Sequence, residues 1–290
     1  MTDSASLFNT LWIIESLPEG DLKTGQHLYE TKLVTARIKH PELTVNFETP
    51  SSASDVLGLL ERISRTAKQG SHPMLHFECH GCLSGLGTAT SELISWGDLR
   101  TPLIKINEAC RLNLVVVLAA CNGAHLIKVA TRLDRAPFWA VIGPDEEVTA
   151  GSVQEDFGAF YEEFFDSLSG DSAMAALNKS NPQSKRRYHF LSAEKLFLKS
   201  YAKYYQQHCI GNGKQRRIED LLTQALQFSV VRQLGISVIR KMIKQKLVEQ
   251  ELFFENKKSN FFFIDEFPEN AERFGVSYAD ILAFPCLRKP

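Results

Sequence analysis

One stretch of the chain constrains its fold more than any other, the run from Leu112 to Ala120, in which only Asn113 is polar. Its centre, 114–118, shows no alternation of polar and apolar residues, which is typical of a parallel strand covered on both faces. The run is far shorter than the ~18–20 apolar residues that span a bilayer, and no other run is longer. We therefore expect a domain built around a buried, parallel central strand.

Shorter segments on both sides of this run alternate between strand and helix patterns. Apolar or alternating runs predict strands at 11–14, 43–49, 73–79, 138–143 and 188–191. Helical spacing of apolar residues predicts helices over 54–70, 96–110, 124–130 and 152–168. Strands that alternate with helices of this length form βαβ units, so we predict an α/β fold with a doubly wound, mostly parallel sheet flanked by helices.

The pattern changes beyond residue 182, where helices predominate. A chain of 290 residues has room for one α/β domain and an appendage. We place the α/β domain at 1–205 and a mainly helical C-terminal region at 206–290, with a soft boundary because no linker-like segment separates them.

Charge is distributed unevenly along the chain. Between Lys185 and Lys246 there are 14 Lys and Arg residues against three acids, although the whole chain carries a net charge of only -1. This basic segment permits a solvated helical surface, a docking surface for an activator or substrate protein, or a nucleic-acid contact. No motif of a known nucleic-acid module is present, so nucleic acid is the least expected partner.

The N-terminus lacks the basic start and apolar core of a secretory signal. Six cysteines are too few for a disulfide scaffold in a chain of this length. These features predict a cytoplasmic protein without a membrane span.

Two predicted strands end in residues that carry chemistry. One runs into His80-Gly81, and the central strand runs into Cys121-Asn122-Gly123. Loops at the carboxyl ends of neighbouring parallel strands meet in one crevice, so His80 and Cys121 are expected to converge there. A histidine beside a cysteine forms a nucleophile–base pair, with Cys121 attacking a carbonyl as thiolate and His80 handling the proton.

The surrounding backbone suits the same chemistry. The helix predicted after Cys121 would place N-terminal amides near its sulfur and favour the thiolate. The amides of Gly81 and Cys121 would together form an oxyanion hole. Acyl transfer through a thioester needs no more than these groups, so no metal or organic cofactor is expected.

Strand-His-Gly followed by an apolar strand and Ala120-Cys121-Asn122-Gly123 resembles the clan CD cysteine peptidases, the caspase–separase–gingipain group. The histidine precedes the cysteine by 41 residues, compared with about 50 in the caspase signature. The segments 76–81 and 118–123 and the stretch Trp96-Gly97-Asp98-Leu99 are most similar to bacterial CHAT-domain proteases. The resemblance covers roughly residues 7–205.

The resemblance implies a caspase-like fold and a cysteine endopeptidase with a Cys121–His80 dyad. It further implies regulated cleavage of a partner protein, as in bacterial defence and cell-death pathways. A non-catalytic interaction module on the same fold, working through its basic helical region, is the alternative function. Selective labelling of Cys121 by an electrophile, lost on His80→Ala, separates the two.

Substrate preference is expected to differ from that of caspases. Ala119 replaces the caspase glutamine, and no basic residue adjoins the cysteine motif, so cleavage after aspartate is not expected. In relatives the loop after the next strand helps to build the pocket for the residue before the scissile bond. Here that region carries Asp145, Glu146 and Glu147, with Asp156 beyond, which predicts either a pocket for Lys or Arg or a group of solvated carboxylates.

Cys79 and Cys82 flank the His-Gly pair and invite a redox or zinc-binding interpretation. A redox pair is expected to open a helix, whereas a glycine-rich loop at 83–87 follows here. The remaining cysteines and histidines lack the spacing of a second zinc-ligand pair, so neither function is favoured.

Overall fold

A computed structural model describes residues 6–179, 187–247 and 249–284. The chain divides into two compact units, the first formed by Met1–Thr131 with Arg135–Ala193 and the second by Arg132–Asp134 with Glu194–Pro290. The chain thus passes into the second unit at residue 194, earlier than the boundary expected near 205. The reason is that Phe197 already packs against Phe254, within the core of the second unit.

The first unit is an α/β domain with a mixed, mostly parallel sheet. The strands are β1 (Thr10–Ser16), β2 (Thr44–Glu48), β3 (Pro73–Cys82), β4 (Gly85–Gly87), β5 (Leu93–Ser95), β6 (Val115–Ala119), β7 (Ala140–Pro144) and β8 (Tyr188–Ser192). The spatial order is β2-β1-β3-β6-β7-β8, in which only β8 runs antiparallel to its neighbour. The expected α/β class and mostly parallel sheet are confirmed.

Helices flank this sheet. They are α1 (Thr24–His27), a π-helical turn (Leu28–Lys32), α2 (Leu33–Lys39), α3 (Ala53–Ala67), α4 (Trp96–Ala109), a 3-10 helix (Gly123–Ala130), α5 (Ala150–Ser167) and α6 (Gly170–Leu177). α3 packs on α4, and α5 packs on α6 and on the α1–α2 segment. The sequence pattern did not predict the α1–α2 segment.

The run singled out in the sequence forms the centre of the sheet. Every residue of β6 is buried, and β6 pairs with β3 on one side and β7 on the other. The edge strand β2, in contrast, is only partly buried. The lack of alternation in β6 is thus the consequence of cover on both faces.

The sequence predicts a glycine-rich loop at 83–87, but the structure shows a strand in this segment. Gly85–Gly87 forms the strand β4, which pairs antiparallel with the end of β3 and with β5. A Cβ atom at Gly85 would lie 2.0 Å from the carbonyl oxygen of Ile94. Glycine is therefore required for the backbones to approach closely enough to pair.

The second unit is helical. Its helices are α7 (Ala193–His208), α8 (Gly211–Ala225), α9 (Ser229–Arg232), α10 (Ile236–Lys246), α11 (Gln250–Phe261), α12 (Asn270–Arg273) and α13 (Tyr278–Ala283). Its core is aromatic, with Phe197, Tyr201, Phe254, Phe261 and Phe262 fully or almost fully buried. Helical spacing of apolar residues predicts one helix over 218–234, but the structure divides this segment between α8 and α9.

No helix in the described ranges is long and apolar enough to cross a membrane.

Candidate active site

The carboxyl ends of β3 and β6 bring His80 and Cys121 to the same edge of the sheet. The two strands are parallel neighbours, as the sequence predicted, and their last paired residues are Glu78 and Ala119. Two residues further along each strand lie His80 and Cys121. His80 is still part of β3, whereas Cys121 lies in the turn that follows β6.

Gly81 lies directly against the backbone of Cys121. A Cβ atom at Gly81 would lie 2.0 Å from the carbonyl oxygen of Cys121 and 2.8 Å from its amide nitrogen. Only a residue without a side chain fits there. The close approach brings together the two backbones whose amides were predicted as oxyanion donors.

A third side chain, Asp21, joins His80 and was not predicted from the sequence. Its Oδ2 lies 2.6 Å from Nε2 of His80, and both side chains are exposed to solvent. Asp21 lies in the loop after β1, and β1 is the other neighbour of β3. Asp21, His80 and Cys121 thus lie at the carboxyl-terminal ends of three adjacent parallel strands. In the sequence, only the turn-forming residues Pro18-Glu19-Gly20 indicate a loop here.

The loop that carries Asp21 is held at both ends. The ammonium group of Lys23 donates to the carbonyl oxygens of Leu17 and Pro18, each at 2.7 Å. Immediately after the loop, the hydroxyl of Thr24 donates to the carboxylate of Glu78 at 2.7 Å. These bonds tie the loop to itself and to β3, and thereby restrict the position of Asp21.

A buried polar cluster beneath His80 supports this loop. The side chains of His76, Glu78 and His80 share one face of β3 because strand side chains alternate. Nε2 of His76 lies 2.8 Å from Oε1 of Glu78, and Nδ1 of His76 lies 3.0 Å from the hydroxyl of Tyr161. Both His76 and Glu78 are buried, so these bonds satisfy polar groups that water does not reach.

Glu15 provides a second buried carboxylate next to Glu78. It lies opposite Glu78 in the β1–β3 register, and its Oε2 accepts hydrogen bonds from the amides of Gly25 at 2.8 Å and Gln26 at 3.1 Å. Burial is the main cause that raises the pKa of Glu15; the amide bonds from Gln26 and Gly25 oppose the rise, and the charge of Glu78 adds to it. Glu15 thus anchors the start of α1, directly after the Asp21 loop.

The helix after Cys121 differs from the one expected. It is a 3-10 helix, and its first amides are already engaged, since Asn122 donates to the carbonyl of Glu146 and Gly123 to that of Ala120. The sulfur of Cys121 instead receives the amide of Val148 at 3.3 Å and lies 3.5 Å from the carbonyl oxygen of the same residue. The donor next to the sulfur therefore comes from the loop after β7.

The glycine after the cysteine has a packing role. A Cβ atom at Gly123 would lie 2.6 Å from Cβ of Leu118, inside the contact distance of two carbon atoms. Asn122 adopts the left-handed conformation, with a φ of 58°, which asparagine tolerates better than most residues. The Cys-Asn-Gly sequence therefore allows the chain to turn sharply after β6 and to pack back against Leu118 of that strand.

The acidic loop after β7 lies close to this turn, but two of its carboxylates already lie beside basic side chains. Oδ2 of Asp145 lies 3.0 Å from Nε2 of His189, and Oε1 of Glu146 lies 2.9 Å from Nε of Arg187. Both partners lie on or beside β8, the antiparallel neighbour of β7. Glu147 is exposed.

Asp156 occupies a different environment. It lies on α5 and is buried, whereas Asp145 and Glu146 are largely exposed. Its charge acts on Tyr188 and on Arg187; burial first, and Asp156 second, raise the pKa of the Tyr188 phenol. The buried Asp156 therefore interacts electrostatically with Arg187, the residue that pairs with Glu146 of the acidic loop.

Two cysteines on β3, Cys79 and Cys82, differ in their exposure. Cys79 is buried, and burial raises the pKa of its thiol to about 12. Cys82 is exposed, and its sulfur accepts the amide of Ser84 at 3.4 Å. Within the residues that the structure describes, no three His, Cys, Asp or Glu side chains come together as a set that could hold a metal ion.

No family model matches the chain, and no curated protein matches it.

Proposed function

We propose that this protein is a cysteine endopeptidase that uses Cys121 as nucleophile and His80 as general acid and base. One observation carries the proposal: Asp21, His80 and Cys121 lie at the carboxyl-terminal ends of three adjacent parallel strands at one edge of the sheet, and Asp21 bonds to His80. Oriented histidines beside a nucleophile are the recurring arrangement of acyl-transfer sites. The sequence resemblance to clan CD peptidases gives independent support.

The proposed reaction proceeds through a thioester. His80 takes the thiol proton of Cys121, and the sulfur attacks the carbonyl carbon of the scissile bond. The amides of Gly81 and Cys121 donate to the oxyanion that forms. The tetrahedral species then collapses, His80 gives the proton to the departing amine, and a water activated by His80 hydrolyses the thioester.

Asp21 completes this arrangement as a positioning residue. A carboxylate 2.6 Å from Nε2 fixes which ring nitrogen faces away from the nucleophile, and it stabilises the imidazolium that forms during attack. The bond that holds Thr24 on Glu78 keeps the Asp21 loop next to β3. The proposed machinery is thus an Asp-His-Cys set rather than the dyad inferred from the sequence.

The finer assignment follows from the resemblance. We propose a caspase-like, CHAT-type protease that cleaves a partner protein in the cytoplasm, in a regulated bacterial defence or cell-death pathway. The His-Gly and Cys-Asn-Gly motifs, in that order at the ends of neighbouring strands, support it.

The substrate pocket is proposed at the loop after β7. The carbonyl of Glu146 bonds to the amide of Asn122, so this loop adjoins the nucleophile. A substrate Lys or Arg would have to displace Arg187 from Glu146 or His189 from Asp145. The buried Asp156 would contribute indirectly, since its charge acts on Arg187.

Labelling with a peptidyl electrophile tests the proposed function. We expect one equivalent to attach to Cys121, located by peptide mass spectrometry, and the rate to fall strongly in His80→Ala. Cys82→Ala is the matched control because Cys82 is exposed and on the neighbouring hairpin, and it should label as the wild type does. Labelling mainly at Cys82, or a rate independent of His80, would contradict the proposal.

A further inference from the structure

The second unit contains a helical hairpin that is independent of the proposed catalytic chemistry. α8 and α10 pack against each other, and Arg240 pairs with Glu219 through two bonds, Nε to Oε1 at 3.1 Å and Nη2 to Oε2 at 2.9 Å. This pairing joins the second half of α8 to the first half of α10, so the helices form an antiparallel hairpin. Ile218, Leu222 and Ile239 are its buried residues.

The connection between the two helices together with the first residue of α10, residues 226–236, is strongly apolar and exposed; we call it the hairpin tip. Its exposed large apolar residues are Phe228 at 66%, Val230 at 75%, Leu234 at 50% and Ile236 at 52%. Val238 and Met242 continue the exposed apolar surface along α10. Single exposed apolar residues are common, but a cluster within so short a segment indicates an interaction surface.

Basic residues predominate in the sequence around the hairpin tip. The chain has no Asp or Glu between Asp220 and Glu249, a segment that contains Arg232, Arg240, Lys241, Lys244 and Lys246. On α10, Lys241 and Lys246 lie on either side of the exposed Val238 and Met242 at helical spacing. Arg240 pairs with Glu219 and Lys246 with Glu249, so Arg232, Lys241 and Lys244 supply the excess positive charge beside the exposed apolar side chains.

We propose that the hairpin tip is a peripheral docking surface for an anionic lipid bilayer. The exposed apolar side chains lie close together in one short segment, and the headgroup boundary of a bilayer accepts such side chains individually. The lysines and arginines would meet the lipid phosphates and carboxylates by charge complementarity. A second copy of the chain fits poorly, because it would bring two acid-free basic segments together.

Vesicle co-sedimentation of the full-length protein tests this proposal. We expect binding to vesicles of phosphatidylcholine mixed with phosphatidylserine, little binding to phosphatidylcholine alone, and release as salt is raised. Phe228→Asp with Val230→Asp should weaken binding by about tenfold or more, since apolar insertion is lost. Lys241→Gln and Lys244→Gln should each weaken it about fivefold.

Ile38→Asp is the matched control, because Ile38 is 75% exposed, like Val230, but lies on α2 in the other unit. It should bind vesicles as the wild type does, and circular dichroism should show all variants folded. Absence of binding to anionic vesicles, or equal binding by the tip variant, would overturn the proposal. A protein partner lost on the tip substitutions, with no vesicle binding, would assign the surface to that partner instead. Cys121 labelling by the electrophile is a separate measurement, so either proposal can fail alone.

Discussion

Asp21 and His80 form a short bond in an exposed place, and this combination determines what the bond can do. Their side chains are 39% and 64% exposed, and water screens their attraction. Exposed ion pairs contribute about 0–1 kcal/mol to stability. The contribution of Asp21 is therefore expected in the orientation of His80 rather than in the stability of the fold.

Asp21→Asn is expected to lower kcat of peptide cleavage by about 10–100-fold with little change in KM, because the amide keeps the shape of the side chain but not the charge that stabilises the imidazolium. The melting temperature should stay near that of the wild type. Glu19→Gln, which removes a carboxylate from the same loop, should keep its kcat. An equal loss in both variants would mean that the loop as a whole, and not Asp21, is required.

Gly81→Ala is expected to lower both activity and stability. The added methyl group would lie 2.0 Å from the carbonyl oxygen of Cys121, and overpacking of this kind costs about 1–3 kcal/mol. Gly85→Ala gives an equally close contact, with the carbonyl of Ile94, but not with Cys121. Denaturant unfolding should show similar losses in both variants, whereas the rate of Cys121 labelling should fall further in Gly81→Ala.

At the scale of elements, the ends of β1 and β3 are joined to α1 by two buried carboxylates. Glu15 accepts the first amides of the helical segment, and Glu78 accepts the hydroxyl of Thr24. Both acids are buried, so these hydrogen bonds replace the contacts that water would make with exposed carboxylates. These bonds hold the Asp21 loop in place, and the raised pKa of Glu15 makes the stability of the folded protein depend on pH.

Glu15→Gln should change how stability depends on pH. Burial raises the pKa of Glu15, so the folded protein binds its proton more tightly than the unfolded chain does, and wild-type stability falls as pH rises above the ordinary value of 4.5. The glutamine carbonyl can still accept the amides of Gly25 and Gln26. In urea titrations, the stability of the variant relative to the wild type should therefore increase from pH 4.5 to pH 7.

Asp55→Asn is the comparison variant, because the pKa of Asp55 is shifted in the direction opposite to that of Glu15. Hydrogen bonds from Ser52, and then from Ser51, lower the pKa of Asp55, so its stabilising effect is present above the ordinary value of 3.8 and is lost as pH falls. The wild-type advantage over this variant should shrink on acidification. A Glu15→Gln difference that does not vary with pH would contradict the interpretation of Glu15.

The loop between β7 and α5 sets the expected substrate preference. If Asp145 and Glu146 face the substrate, a peptide library should show Lys or Arg before the cut, and Asp145→Ala or Asp156→Ala should weaken that preference. Arg187→Ala frees Glu146 from its partner and should strengthen it. A preference for Leu that survives all three substitutions would mean that these acids serve only their pairs on β8.

At the scale of the whole molecule, burial differs strongly between the sheet centre and the second unit's hairpin. β1 and β6 are buried along their whole length and paired on both sides. α9 contains no buried residue and lies within the exposed hairpin tip. Local stability follows burial and hydrogen bonding, so the two regions should open with different free energies.

Hydrogen exchange followed by mass spectrometry should reveal this difference. Peptides that cover 115–119 and 10–16 are expected to exchange slowest, and peptides that cover 226–236 fastest among the helical segments. The edge strand β2 is the internal comparison, since it is paired on one side and partly exposed. Exchange in β6 as fast as in β2 would contradict the central position of β6.

The sequence by itself determined the class of the fold and the location of the His80 and Cys121 motifs at strand ends. Those features depend on local patterns: a run without alternation for a doubly covered strand, helical spacing for the helices, and glycines where the chain must turn. Each is encoded within a few consecutive residues.

Only the tertiary structure decided which groups surround these motifs. Asp21 is 59 residues from His80, and Arg187 is 41 from Glu146, so neither pairing leaves a trace in any local pattern. The 3-10 form of the helix after Cys121 depends on the turn that the β7 loop holds. Such contacts follow from which strands become neighbours, and that choice is made by burial of the whole sheet rather than by any one segment.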